Sequence, residues 1–181
     1  MCKEQNVLNY YVVCNKLKNV IRTGWKDWKV KRERIESVAE HIYGVQMLAI
    51  AMKSEYQYDI DMQKVIFMLA IHELGETVIG DLTQFQISRE EKERIEHEAV
   101  HKILSGLIDG EQIERIFLEF DAHKTAANSH VKALLESEKT WSGMWLKFGQ
   151  EKYPYDENFM AVSEYAMKNT LSRCIKSTTV I

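Results

Sequence analysis

Two short segments of the chain carry the residue types that bind metal ions. One is Glu40-His41, and the other is His72-Glu73, with Glu76 following three residues later. Imidazole nitrogens and carboxylate oxygens are the donors that divalent transition metals take in octahedral sites. A His directly followed by an acid at a helix end can reach an ion beyond that end, and a His from a facing helix can complete three sides of the site.

The spacing leaves an ordinary alternative open. A single His on an apolar helix is more often a hydrogen-bonded core residue, and single acids are more often solvated. Asp81 follows in the loop beyond Glu76 and could approach the same cavity. His97 and His101 have the i, i+4 spacing of metal ligands. Because charged residues surround them, we interpret these two histidines as part of a solvated helix face.

The composition limits the class of protein. The chain has 181 residues, a net charge of −3, 45% hydrophobic residues and 28% charged residues. This hydrophobic fraction excludes a disordered chain, and the balanced charge argues against dedicated nucleic-acid binding. One Pro and 8 Gly are few for the turns of an all-β domain, so we expect an all-α fold.

The cellular environment follows from cysteine usage and from apolar runs. The three cysteines are scattered and form no C-x-x-C pair, which indicates a reducing cytoplasm. The start of the chain has no signal-peptide pattern, and no apolar run approaches the ~18 residues of a membrane span. We therefore expect a cytoplasmic protein without a membrane partner.

Helix signals predict the elements that must position these residues. Ser37 with Glu40 and Ser88 with Glu91 have the capping-box spacing, and Asp61 can cap the helix that leads to His72. The remaining predictions are a first helix over 6–20, a loop over 22–28, helices over 111–123, 132–139 and 141–148, a break at Asn128-Ser129 and a last helix from Asp156. With no internal repeat or low-complexity linker, we expect one domain over 1–181.

Four motifs in this order resemble the HD-domain metal-dependent phosphohydrolases, most closely the 5′-deoxynucleotidase branch. They are R-T-G-W at 22–25, E-S-V-A-E-H at 36–41, I-H-E-x-x-E at 71–76 and I-G-D-L at 79–82. The resemblance runs from about Val20 to His123, and the series is far more specific than any one motif. It implies an HD-domain helical bundle, usually dimeric, in which a divalent metal activates water against a phosphomonoester.

The resemblance also implies roles for single residues. His41, His72 and Glu73 match the metal ligands, with Glu73 at a position where the family has Asp. The longer Glu side chain can still supply an oxygen, but it moves the ion or changes its coordination. The ion would be a divalent transition metal such as Mn, Co or Fe.

Four further residues match the catalytic and substrate-binding positions of the family. Glu76 and Asp81 match the acids beside the attacking water and the nucleotide. Arg22 matches a phosphate-binding arginine, and Trp25 matches a tryptophan that packs on the sugar.

A last metal-binding Asp is missing from the pattern. Counting forward without a gap brings Leu135 to its place, with Glu136 next to it. The sequence near 125–131 thus lacks one helix of the family pattern. That helix is either deleted from the natural chain or omitted from the sequence. We favour omission, because the family pattern resumes on both sides.

The leading hypothesis is a metal-dependent phosphomonoesterase that removes the 5′-phosphate from (deoxy)nucleoside monophosphates, acting as a homodimer. Two alternatives stay open. One is a catalytically impaired HD-fold protein that binds nucleotides or acts as a dimeric scaffold. The other is a nucleotide phosphodiesterase with the same metal core. Metal content separates the first alternative from the leading hypothesis, and a substrate panel separates the second.

Overall fold

The computed structural model describes residues 2–27, 34–83, 85–122, 125–141 and 156–168. Over these residues the regular elements are helices, joined by turns and loops, apart from one isolated antiparallel bridge between Ile21 and Ser37. The helices are α1 (Lys3–Asn15), followed by a 3-10 turn (Lys16–Lys18), α2 (Thr23–Asp27), α3 (Val38–Tyr56), α4 (Met62–Ile71), α5 (Glu76–Ile79), α6 (Arg89–Leu104), α7 (Gly110–Ala122), α8 (Ala126–Trp141) and α9 (Glu157–Lys168). The all-α prediction is confirmed. None of the described helices combines the length and apolar character that crossing a membrane requires.

Short polar side chains start the helices where the sequence predicts them. At α3, the Ser37 side chain accepts from the Glu40 backbone while the Glu40 carboxylate accepts from the Ser37 backbone, which is a complete capping box. Asp61, Ser88 and Asp156 each accept one backbone N–H of the helix that follows. Each cap satisfies a donor that the helix leaves unpaired, so local sequence is sufficient to set these starts.

The prediction of a loop over 22–28 is wrong. Residues Thr23–Asp27 form α2, whose first N–H donates to Asp81 Oδ2 at 2.5 Å. This cap comes from a residue far along the chain, so the local sequence gives no sign of it. The first helix also differs, since α1 ends at Asn15, and Leu8 and Tyr11 of its predicted apolar stripe are exposed.

The predicted break at Asn128-Ser129 is also wrong, because α8 runs through it. The Thr125 hydroxyl accepts the Asn128 backbone N–H, and the Asn128 side-chain amide donates to the carbonyls of Glu119 and Phe120 at the end of α7. The Asn therefore satisfies a neighbouring helix and does not interrupt its own. Of the predicted helix over 141–148, only Trp141 lies within the described residues. The predicted end of the helix over 111–123, at His123, lies outside them.

Two clusters of buried apolar side chains hold the bundle together. The larger one joins α3, α4, α8 and α9 through side chains such as Val45, Met68, Leu134 and Phe159. The smaller one joins the end of α4 to α6 and α7. Each large apolar side chain buried in these clusters stabilises the fold by about 1.5–3 kcal/mol. Helix α4 contributes to both clusters, and its C-terminal end at His72 is held where they meet.

Candidate metal centre

Three of the predicted site residues converge on one point. One donor atom from each of His41, His72 and Glu73 lies within 4.8 Å of the others. Glu73 Oε1 is 3.4 Å from His72 Nε2 and 4.0 Å from His41 Nε2. Both histidines are buried and Glu73 is partly buried. The structure thus brings together side chains from α3 and from the turn after α4.

Local structure fixes the orientation of both rings. His41 lies in the first turn of α3, immediately after the capping box, and shares the inward face with Val45. His72 ends α4, and its Nδ1 is 2.8 Å from the Leu69 carbonyl oxygen. Because a carbonyl only accepts, Nδ1 carries a proton, and Nε2 is the ring nitrogen that faces Glu73. Among the described residues, His72 Nε2 has no hydrogen-bond partner.

These donors fit a divalent metal ion. Bonds of about 2.1 Å place neighbouring ligand atoms of an octahedral ion roughly 3 Å apart and opposite ones roughly 4.2 Å apart. The two distances from Glu73 Oε1 to the imidazoles fall within that range. A ligating His also commonly donates its other N–H to a backbone carbonyl, as His72 does to Leu69.

Arg22 reaches the same carboxylate from the start of α2. Its guanidinium nitrogen Nη1 lies 3.3 Å from Glu73 Oε1, and the residue is 8% exposed. Burial alone raises the pKa of Glu73, but His72, then Arg22 and His41, hold it well below its ordinary value. Glu73 is therefore an anion in the folded chain, which is the form that binds cations.

Glu76 begins α5 and is almost completely buried, at 1% exposure. Burial, followed by the nearby charges of Glu73 and Asp81, raises the pKa of Glu76 to about 10. Lys92 opposes this shift from α6, with its Nζ 3.3 Å from Glu76 Oε1. The same ammonium lies 3.4 Å from Glu96, and burial raises the pKa of Glu96 to about 7. Sequence reasoning missed Lys92 and Glu96, because an i, i+4 Lys–Glu pair on a charged helix looks like a solvated one.

Asp81 and Trp25 anchor α2 to the rest of the fold. Gly80 has φ +75°, a conformation that favours glycine, and it turns the chain from α5 to Asp81. Asp81 Oδ2 then accepts the N–H of Thr23 at the start of α2. Trp25 is 1% exposed, and its Nε1–H donates to Glu36 at 3.1 Å. The structure therefore packs Trp25 against the α3 entry, while Arg22 is the residue of this segment that contacts Glu73.

A cavity of about 380 Å³ opens beside two of the three donors, His72 and Glu73. His72 and Glu73 form one side of it, and α6, α7 and α8 form the others. The side chains from those helices include Lys92, Glu96, Phe117, Phe120, Asp121, Lys132, Leu135 and Glu136. Leu135, the residue reached by counting without a gap, is thus in the wall of this cavity.

His97 and His101 lie outside the group of metal donors. His97 Nε2 is 2.7 Å from Asp121, and His101 Nδ1 is 3.0 Å from Glu114. These pairs link α6 to α7, and neither His is in the donor group of His72. His101 is largely exposed, as a solvated face requires, whereas His97 is only partly so.

The family model of the HD domain matches residues 14–175, and the chain belongs to this family. The resemblance inferred from the four motifs is confirmed. A structure named as a predicted metal-dependent phosphohydrolase, from Magnetospirillum magnetotacticum, matches with a TM-score of 0.72 at 20% identity. The match covers 95% of this chain and 97% of that one, and it shows that the two share a fold.

Curated relatives are similar over the same region. 5′-Deoxynucleotidase HDDC2 of Dictyostelium discoideum is 36% identical over 129 residues, which cover 66% of this chain and 66% of that protein. 5′-Deoxynucleotidase hdd1 of Schizosaccharomyces pombe is 28% identical over 137 residues, covering 72% of this chain and 67% of that protein. The similarity thus spans about two thirds of the length of these relatives.

Proposed function

We propose that this protein is a divalent-metal-dependent phosphohydrolase that removes the 5′-phosphate from nucleoside monophosphates, with 2′-deoxynucleotides preferred. The observation that carries the proposal is the convergence of His41, His72 and Glu73 beside a cavity. Membership of the HD family supports the metal chemistry. The relatives named 5′-deoxynucleotidases support the substrate class.

His41, His72 and Glu73 would hold the ion, a divalent transition metal such as Mn, Co or Fe. Once bound, such an ion lowers the pKa of a coordinated water and polarises a phosphoryl oxygen. Two imidazoles suit this group of metals better than Mg²⁺ or Ca²⁺, which prefer oxygen ligands. The anionic state of Glu73 favours binding of the cation.

The other residues of the chain bind phosphate and move protons. Arg22 offers a planar pair of N–H donors that matches phosphate oxygens, and a bound phosphate would compete with Glu73 for it. Glu76 orients the attacking water, and it would deprotonate that water once a divalent ion beside Glu73 lowers the pKa of Glu76 from its metal-free value. Asp81 uses Oδ2 to hold Thr23 and keeps Oδ1 as a candidate relay, which would accept a proton released by the attacking water and pass it to the leaving nucleoside oxygen. Trp25 fixes the position of this segment through its hydrogen bond to Glu36.

One observation favours a second candidate, an HD-fold protein with impaired catalysis that binds nucleotides. Leu135 offers no donor atom to the cavity, so three protein ligands leave half of an octahedral shell to water or substrate. A hard ion with one carboxylate should bind more weakly than one with two. If catalysis is impaired in this way, the purified protein contains little metal and binds nucleotides without turnover.

We also propose that the protein is a homodimer in the cytoplasm. Exposed apolar side chains on one stretch of α3, namely Tyr43, Met47 and Ile50, support a subunit contact there. Light scattering of the purified protein gives the mass, and a monomer at micromolar concentration would contradict the dimer.

Metal analysis of the purified protein, followed by phosphate release from a nucleotide panel, tests the proposed function. We expect bound transition metal and faster release from deoxynucleoside 5′-monophosphates than from ribonucleotides or 3′-monophosphates. Cleavage of cyclic nucleotides with no release from monophosphates would instead indicate the phosphodiesterase. Nucleotide binding without release from any compound would indicate the impaired protein.

A further inference from the structure

A lysine on α6 joins two acids at the edge of the cavity. Lys92 Nζ lies 3.3 Å from Glu76 Oε1 and 3.4 Å from Glu96 Oε1. The exposed fraction of the side chain is 26% for Lys92, 18% for Glu96 and 2% for Glu76. Lys92 and Glu96 line the cavity that also contains His72. The ammonium is thus held between two carboxylates next to the candidate metal ligands.

The two oxygens of Glu76 are in different situations. Oε1 accepts a hydrogen bond from Lys92. Oε2 is buried and, among the described residues, accepts no hydrogen bond. A buried carboxylate oxygen without a partner is costly, and such groups persist mainly where function requires them. The contact with Lys92 therefore fixes one end of the carboxylate and leaves the other end to a group from outside the chain.

The distance between α5 and α6 depends on a glycine. A Cβ atom at Gly75 would lie 3.0 Å from Glu96 Cγ and 3.2 Å from Glu96 Cα. Since one of those atoms belongs to the α6 backbone, any side chain at position 75 would push α6 away from the start of α5. The close approach at Gly75 thus brings Lys92 within reach of Glu76.

We propose that Lys92, braced by Glu96, is a positioning residue that holds Glu76 by Oε1 and directs Oε2 at the attacking water. The inference rests on the proposed function, because the water and the phosphate exist only in that reaction. Lys92 needs no contact with the substrate in this role. Its removal should slow the chemical step and leave nucleotide binding unchanged.

Steady-state kinetics of Lys92→Met and Lys92→Arg test the role. Met keeps much of the side-chain length without the charge, and Arg keeps the charge. We expect Lys92→Met to lower kcat by about 10- to 100-fold, the usual effect of losing a supporting contact at a metal site. The KM for a deoxynucleoside monophosphate and the metal content should stay within about twofold of the parent. Lys92→Arg should recover most of the lost kcat.

Lys64→Met is the matched control. Lys64 also forms an ion pair with a Glu from another helix, 2.7 Å from Glu119, and its side chain is 33% exposed. That pair lies outside the cavity, so the control should keep the parent kcat. A parent-like kcat in Lys92→Met would overturn the proposal, as would a rise in KM with no change in kcat.

A double-mutant cycle separates this inference from the proposed function. The free energy of unfolding is measured for Lys92→Met, Glu76→Gln and the double variant. Non-additive changes would support the buried contact even if the parent hydrolyses no nucleotide, a result that refutes the function alone. Additive changes would show that Lys92 does not hold Glu76 and would overturn the inference whatever the activity.

Discussion

Two buried titratable side chains, His130 in the larger core and Glu76 beside the cavity, have contrasting surroundings. His130 is fully buried between the rings of Tyr58 and Phe159, whose centroids lie 4.7 and 5.4 Å from its own. Burial lowers the pKa of His130 to about 4, although Asp156 opposes the shift. Glu76 is equally buried, but four charged side chains influence its pKa.

The difference separates a structural group from a functional one. The neutral imidazole of His130 packs with aromatic rings and needs no counter-charge. Around Glu76 several charged side chains lie in a poorly hydrated place, which reduces the stability of the fold. Clusters of this kind with shifted pKa values are concentrated at functional sites. Changes at the cavity should therefore alter chemistry, and changes at His130 should alter stability alone.

The largest effect is expected for His72→Ala. It removes one of two imidazoles from the donor group, so metal retention and turnover should each fall by more than about 100-fold, beyond the range for supporting contacts. The helical circular-dichroism signal should stay close to that of the parent. Parent-like turnover in this variant would show that the site is misassigned.

Glu76→Gln should have the next largest effect. The substitution keeps the size of the side chain and removes its basicity, so kcat should fall by roughly 100-fold, within the range for a general base. Metal analysis is the control, since the ion should remain bound. If metal is lost together with activity, Glu76 is a ligand.

Leu135→Asp should strengthen metal binding, whereas the two preceding substitutions reduce metal retention or turnover. Position 135 lies in the cavity wall with His72 and Glu73, and an Asp there can offer a second carboxylate to the ion. We expect metal affinity, measured by calorimetry on the metal-stripped protein, to rise about tenfold, equivalent to about 1.4 kcal/mol. Leu135→Asn has nearly the same shape without the charge and is the control. Equal affinity in the parent and the Asp variant would place residue 135 outside the coordination sphere.

The smallest effect is a pH dependence of stability at His130. Its folded pKa is lower than the unfolded value of about 6.5, so below pH 6.5 the unfolded chain binds a proton that the folded chain does not. Stability should therefore fall as the pH drops from 6.5 to 4, by at most about 1.4 kcal/mol per pH unit. Urea unfolding of His130→Gln should show a shallower acid limb, with parent-like turnover at pH 7.

The pH dependence of stability that comes from Glu76 should have the opposite sign in the same urea-unfolding experiment. Its pKa is raised in the folded chain, so above its unfolded value of about 4.3 the folded state holds the extra proton. For the metal-stripped protein, this contribution favours folding at low pH and is lost as the pH rises towards 10. Glu76→Gln should flatten that slope. An unchanged slope in the variant would mean that Glu76 is ionised in the fold.

Sequence reasoning predicted the parts that depend on neighbouring residues. Capping by Ser37, Asp61 and Ser88 is local, so the starts of α3, α4 and α6 were predictable. Helix α2 was not, because its cap is Asp81. The break expected at Asn128 failed for the same reason, since its side chain serves α7.

The site was predictable in its motifs and unpredictable in its supporting contacts. His41, His72 and Glu73 lie in patterns that the family shares. Lys92 has no such pattern, because its contact with Glu76 depends on how α6 packs against the turn before α5. Leu135 and Glu136, the two residues reached by counting without a gap, both line the cavity. Omission of residues near 125–131 stays a prediction, which the mass of the natural protein can check.

Phosphate release by the metal-stripped protein is the most direct test of the central claim that His41, His72 and Glu73 hold a catalytic ion. The protein is incubated with a 2′-deoxynucleoside 5′-monophosphate, first alone and then with Mn²⁺ or Co²⁺, beside His72→Ala as the control. We predict negligible release without metal, restored release by the parent on addition of the ion, and none by the variant. Equal release by the parent and His72→Ala, or release that ignores the added ion, would contradict the account.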